Sequence, residues 1–162
     1  MHTKAIYVLK NVTFIFFVLF WLVVSQQYLG ELVDEYNIPA GHYLAESGND
    51  YYVFIQESPK IVSFASLTYR AFIEEIMFRG LPLFLVLLFD KSRKYWPIVA
   101  VISSILFGLT HGQIGNVFIQ GVGGMTFCIF FVAMWKVKKN SLWALVATTF
   151  THAWYNAFLL FT

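Results

Sequence analysis

Charge is what this sequence has least of. Only 12% of its 162 residues are Asp, Glu, Lys or Arg, about half the share carried by a soluble domain. The mean hydropathy is correspondingly high, +0.66, which excludes an ordinary water-soluble core with a charged surface. A net charge of +2 is too small to imply a nucleic-acid partner. There is a single cysteine, Cys128, inside an apolar run. It excludes an internal disulfide and any Cys-x-x-Cys metal or redox pair, and reads as a small apolar residue within a span. No internal repeat and no low-complexity segment is present.

What is there instead is apolar length: 59% of the chain is hydrophobic and 20% is aromatic. An N-terminal stretch with Lys4 and Lys10 before the apolar run from Val12 to Val24, then Ser25, has the outline of a signal peptide. The helical pattern extends from about Ala5 to Leu29, long enough to span a bilayer, so a retained anchor is expected. Four more apolar segments come after it, at about Ile61–Phe89, Pro97–Thr110, Ile114–Trp135 and Leu142–Phe161. Lipid cannot satisfy an open backbone, so each is expected to be helical. The expected fold is all-α, a polytopic transmembrane helix bundle of about five spans. An anchor and acidic loop over 1–60 would precede a core over 61–162.

Charge sorts the connections. Lys4 and Lys10 precede the first span, Lys91, Arg93 and Lys94 follow the second, and Lys136, Lys138 and Lys139 follow the fourth. Between the first and second lie Glu31, Asp34, Glu35, Glu46, Asp50 and Glu57 against Lys60 alone. Basic loops favour the cytoplasmic side. The expectation is therefore an integral membrane protein with its N-terminus in the cytoplasm and the acidic loop and C-terminus outside; the expected membrane, which loop charge does not itself specify, is the bacterial cytoplasmic one. Pro39, Gly41, Gly48 and Asn49 make that loop read as irregular surface structure, with His42 solvated. Trp96, Trp135 and Trp143 fall near span ends, as interfacial anchors do. Gly112, Gly115, Gly121, Gly123 and Gly124 read as small residues that let helices approach closely, rather than as a phosphate loop.

Against this background the ionisable residues inside the spans mark a functional site, because a membrane charge is costly. The second span reads Tyr69-Arg70-Ala71-Phe72-Ile73-Glu74-Glu75-Ile76-Met77-Phe78-Arg79-Gly80. Residues four apart share a helix face, so Glu75 can pair with Arg79, while Glu74 lies on another face, one turn from Arg70. Two readings stand: one glutamate is neutralised while the other is available for proton transfer, or both pair with the arginines and hold the helix. His111 closes the third span, and His152 lies one turn before Asn156 in the fifth. Counted from the cytoplasmic ends, Glu74, His111 and His152 lie roughly 22, 21 and 15 Å deep. A common site is geometrically possible.

The ordered triple Glu74-Glu75 to Arg79, Phe107 to His111, and His152 to Asn156 resembles the CPBP family of CAAX-protease and bacteriocin-processing intramembrane proteases. The resemblance covers about Ile61 to Phe161. It implies an intramembrane endopeptidase in which Glu74, helped by His111, activates water and His152 and Asn156 stabilise the oxyanion. Glu75 and Arg79 would hold the helix and tune charge, with Phe107 supporting. Implied partners are membrane lipid and a peptide or protein substrate, prenylated or a bacteriocin or pheromone precursor. Glu74, His111 and His152 also form a candidate zinc set, but no His-Glu-x-x-His helix is present, and catalysis without a metal cofactor is expected. Alternatives are a non-catalytic membrane partner, such as a bacteriocin immunity protein or a sensor regulator, and a small proton-relay transporter. The lack of paired broken helices counts against the last.

Overall fold

The computed structural model describes residues 2–39, 50–89 and 94–161, and all regular structure among them is helical. Helix α1 runs His2–Glu35, α2 Asp50–Glu57, α3 Lys60–Glu75, α4 Leu81–Phe89, α5 Trp96–Leu109, α6 Gly115–Lys138 and α7 Ser141–Phe161. A π-helical segment, Ile76–Gly80, joins α3 to α4 without a break. The helices over the four later apolar segments begin and end within about three residues of the expected bounds. Thr13–Glu35 and Gly115–Lys138 are long and apolar enough to cross a membrane, whereas the apolar α5 is shorter.

The connection after the first apolar segment differs from expectation. Instead of being irregular throughout, it begins as helix: α1 continues through Glu31, Asp34 and Glu35, and Asp50 and Glu57 bound a short helix. No glycine or proline interrupts the chain from Glu31 to Asn37, so nothing stops the helix until Asn37 turns it with a positive φ of 51°. Gly41, His42, Glu46, Gly48 and Asn49 of that connection, and Lys91 and Arg93 of the first basic loop, lie outside the described residues.

Local signals explain the other ends. Pro97 sits in the first turn of α5, where its missing N–H costs nothing. Helix α6 ends with Lys136 and Lys138 in its last turn, where cations complement the helix dipole. Lys139 comes next in the left-handed region and donates its N–H to Trp135 O at 2.7 Å. Asn140 then caps α7, its side-chain oxygen accepting from Trp143 N–H at 3.0 Å. A link this short makes α6 and α7 antiparallel neighbours.

Proline also explains the π segment. In a continuous α-helix the carbonyl of Phe78 would accept from residue 82, but Pro82 has no N–H and its ring crowds that carbonyl. The ladder slips instead, with Leu81 N–H reaching back to Ile76 O. The Ser103 hydroxyl of α5 donates to Phe78 O.

Helix α6 is the hub of the core. Phe127, Cys128, Phe130 and Phe131 pack against Val18 and Leu22 of α1, Leu83 and Leu87 of α4, Ala100 of α5, and Ala144 and Tyr155 of α7. Glycine sets how closely the helices cross. A Cβ on Gly108 would lie 2.6 Å from Val117 Cα, and one on Gly121 3.2 Å from Ser104 O. One on Gly123 would meet Gln26 of α1, whose amide donates to Ile119 O. Gly112 serves differently, supplying a φ of +94° in the α5–α6 turn with no neighbour near its Cβ direction. Lys136 Nζ lies 5.5 Å from the Trp96 ring, so the start of α5 and the end of α6 share one end of the bundle. Apolar side chains cover the outside: Phe16, Phe17 and Phe20 on α1, Leu85 and Leu88 on α4, Ile98 and Ile102 on α5, and Phe150 and Trp154 on α7 are exposed.

Candidate functional site

Three elements converge beneath this shell. Glu74 and Glu75 end α3, Arg79 stands in the π segment, and His152 projects from the middle of α7. Glu75 and Arg79 are both 0% exposed, with Arg79 Nη1 3.1 Å from Glu75 Oε1. The pair is ionic rather than well aligned: among the described residues Arg79 Nε, Nη1 and Nη2 have no hydrogen-bond acceptor in good geometry. Its guanidinium lies over the Phe107 ring, 4.2 Å from the centroid. The room for it comes from Gly124, where a Cβ would stand 3.0 Å from Arg79 Nη2 and 3.0 Å from Phe107 Cδ1.

Glu75 Oε1 also meets His152 Nδ1 at 2.8 Å. The other ring nitrogen, Nε2, faces Glu74 Oε2 at 3.7 Å. One imidazole thus stands between two consecutive carboxylates. The ring is held flat against Phe127, centroids 4.5 Å apart at 27°, and meets Phe107 edge-on at 6.1 Å. Two neighbouring glutamates point about 100° apart on a helix, so a group wedged at their shared edge reaches both.

Glu74 differs from Glu75 in its surroundings. Its side chain is 18% exposed, and its Oε1 accepts from Arg70 Nε at 3.0 Å. Both glutamates therefore have an arginine four residues away, as the helix-holding reading requires. Glu74 keeps its second oxygen on the His152 side, and only Glu74 reaches an opening. An open, largely apolar cleft of about 980 Å³ runs along α3 past Ile61, Val62, Ala65 and Ile73 and ends at Arg70 and Glu74.

His111 lies on the turn after α5 rather than within the helix, because the helix stops at Leu109. Its Nδ1 contacts Phe107 O at 2.8 Å. A carbonyl can only accept, so that nitrogen carries the proton. The ring meets Phe107 edge-on at 4.7 Å and lies within electrostatic reach of Glu74, Arg70 and His152. Phe107 is thus the packing centre of the site, touching Arg79, His111 and His152. Asn156 is half-buried one turn beyond His152. Among the described residues no group of three or more His, Cys, Asp or Glu is placed to hold a metal ion.

Two residues here escaped the sequence. Asn116, 1% exposed, donates its amide to His111 O at 2.6 Å and so ties the turn carrying His111 to α6. A polar residue in an apolar helix was a usable signal for it. Phe127, which stacks on His152, gave none, being one of 18 phenylalanines.

The family model described as Rce1-like, type II CAAX prenyl endopeptidase, matches residues 56–158, more than half of the chain. Neither the curated proteins nor the solved structures compared with it gave a match.

Proposed function

Because the chain belongs to the Rce1-like family of type II CAAX prenyl endopeptidases, a protease family, we propose that it is an intramembrane endopeptidase that hydrolyses a peptide bond of a membrane-associated or prenylated peptide or protein, with Glu74 activating the water. One observation carries the reading. Glu74 is the carboxylate at the head of the apolar cleft, with one oxygen on Arg70 and the other toward His152. An apolar cleft suits a lipidated chain, and a carboxylate at its end suits general-base work.

In this reading the water gives a proton to Glu74 as its oxygen attacks the scissile carbonyl carbon. The C–N bond then breaks and the leaving amine takes up the proton. His111 assists from the α5–α6 turn, and α7 presents His152 and Asn156 on the oxyanion side. Loss of one oxyanion donor costs about 10²–10³ in rate. Asn156→Ala should therefore retain its fold in reconstituted membranes and lose peptide processing by about that factor. Wild-type protein that cleaves no prenylated or unmodified membrane peptide in the same assay refutes the endopeptidase reading.

The five-span arrangement belongs to the same proposal. α1, the continuous α3–π–α4 unit, α5, α6 and α7 would each cross, with the N-terminus cytoplasmic. The exposed apolar faces and the Lys136–Trp96 contact support it, since aromatic side chains mark the membrane interfaces and basic ones favour the cytoplasmic side. Helix α5, with 14 residues, rises only about 21 Å, so it would cross with help from its flanking turns. Topology reporters fused after Asn49 and after Lys138 should report opposite sides. The same side for both would overturn the arrangement.

A further inference from the structure

We infer that the groove between the end of α4 and the start of α5 binds one anionic phospholipid, with an acyl chain in the groove and the headgroup phosphate on Lys94 and Lys136. The inference needs a chain that spans the membrane and does not need the endopeptidase reading.

The groove is lined by Leu85, Val86 and Phe89 of α4 and by Tyr95, which precedes α5, and has a volume of about 420 Å³. That is within the range of pockets that bury a small ligand. Leu85 and Phe89 share a helix face one turn apart, so the groove runs along α4 for about 6 Å, inward from the end of the bundle. Leu85, Phe89 and Tyr95 are all exposed, so the groove is open to the surrounding lipid.

Charge decides which lipid it takes. Lys94 Nζ lies 5.9 Å from the centroid of the Tyr95 ring, so the ring that closes the groove also holds a cation at its mouth. Lys136 Nζ of α6 stands 5.5 Å from the next ring, Trp96, and Lys139 Nζ 5.6 Å from Trp135. Among the described residues none of these three lysines faces a carboxylate. A ring attracts an ammonium through its quadrupole but neutralises no charge, so each lysine can still take a phosphate. The sequence just before Lys94 adds Lys91 and Arg93 against Asp90. A zwitterionic lipid would bring an ammonium of its own to this cluster, whereas phosphatidylglycerol brings a net negative charge.

Other grooves lack the coincidence of apolar wall and unmatched cation. The groove beside the π segment, along Ile76, Leu81 and Phe131, has no charged residue in its lining. Neither has the cleft between α1 and α7, along Phe20, Val23 and Trp154. The α3 cleft ends at Arg70 and Glu74 and belongs to the site already described.

The test takes the full chain from lipid nanodiscs into mild detergent and titrates it with phosphatidylglycerol or phosphatidylcholine. Native mass spectrometry counts the bound lipids and the copies of the chain. Wild type should bind its first phosphatidylglycerol more tightly than phosphatidylcholine. One lysine near a headgroup contributes about fivefold in affinity. Lys94→Gln should therefore weaken the first phosphatidylglycerol by about fivefold, and Lys94→Gln with Lys136→Gln by about 25-fold, with phosphatidylcholine unchanged. Val86→Trp fills the groove, keeps every lysine and should abolish the preference. Phe89→Ala removes a wall at an exposed position and should weaken phosphatidylglycerol too, so the groove is tested even if Val86→Trp does not fold. Equal affinities for the two lipids in the wild type overturn the inference. So does an undiminished preference in the groove variants, which would mark diffuse attraction by the basic end of the bundle. Glycerol phosphate that displaces the lipid at equal concentration would show a headgroup site that does not use the groove. A doubled mass that excludes lipid and is lost in Val86→Trp would give the groove to a second copy of the chain.

Discussion

Glu74→Gln should lower peptide-bond hydrolysis by about 10²–10⁴-fold, the contribution of general-base catalysis, and leave the protein folded. The amide preserves the size of the side chain and can still accept from Arg70 Nε, which lies 3.0 Å from Oε1 in the wild type. What it loses is proton affinity. Folding should survive because a neutral amide is cheaper to bury than a carboxylate, and because Glu74 sits at the cleft rather than in the closed interior. Arg70 and Glu74 are both partly exposed, and pairs of that kind contribute little to stability. The same assay addresses zinc. In the metal-free reading a strong chelator leaves wild-type activity intact. Were Glu74, His111 and His152 ligands, chelation would abolish it until zinc was restored, and Glu74→Gln would also lose bound metal. Chelator-sensitive, zinc-restorable processing would sink the metal-free mechanism. Undiminished processing by Glu74→Gln would sink the assignment of Glu74 as the base.

Arg79→Ala should cost folded protein rather than rate alone. Arg79 and Glu75 are both fully buried, and removing one partner of a buried pair destabilises by about 3–5 kcal/mol because the other charge is stranded. Three further contacts disappear with it: the guanidinium over Phe107, its neighbour Phe127, and the packing against Gly124. The chain supplies its own reporter. Its single cysteine, Cys128, is fully buried in the α6 core, so a thiol-reactive dye labels it only as the bundle opens. Labelling of Arg79→Ala should begin at a markedly lower temperature than labelling of the wild type. Adding Glu75→Gln should restore part of the difference, since it removes the stranded charge. An Arg79→Ala protein with wild-type labelling would show that the pair has no structural weight.

How legible each feature is in the sequence depends on the range of the interactions that make it. Helix positions are legible because they rest on local signals: apolar blocks of spanning length, Pro97 opening α5, and Asn140 capping α7. The Glu75–Arg79 and Glu74–Arg70 pairs are legible too, since both are four residues apart on one helix. The π segment escapes a reading that holds to a 3.6-residue period throughout, although Pro82 marks the carbonyl that must find another donor. The contact between Glu75 and His152 spans 77 positions, and no local pattern encodes which face of α7 meets α3. The partners of Asn116 and Phe127 share that difficulty: Asn116 meets the turn after α5, and Phe127 meets His152 of α7, only once α6 has packed against both.

The π segment has a consequence for how this chain can vary in length. One turn of an α-helix takes 3.6 residues, so each residue added or removed rotates the downstream helix by about 100°. A bond from Leu81 N–H to Ile76 O closes a turn that holds one residue more than an α turn. The segment thus takes up a residue while Leu83 and Leu87 keep their place in the core. The five residues act as a phase-setter between two rigid rods, one carrying the carboxylates and one anchoring them. Single-residue insertions and deletions are closed to the rods on either side, where nothing takes up the turn.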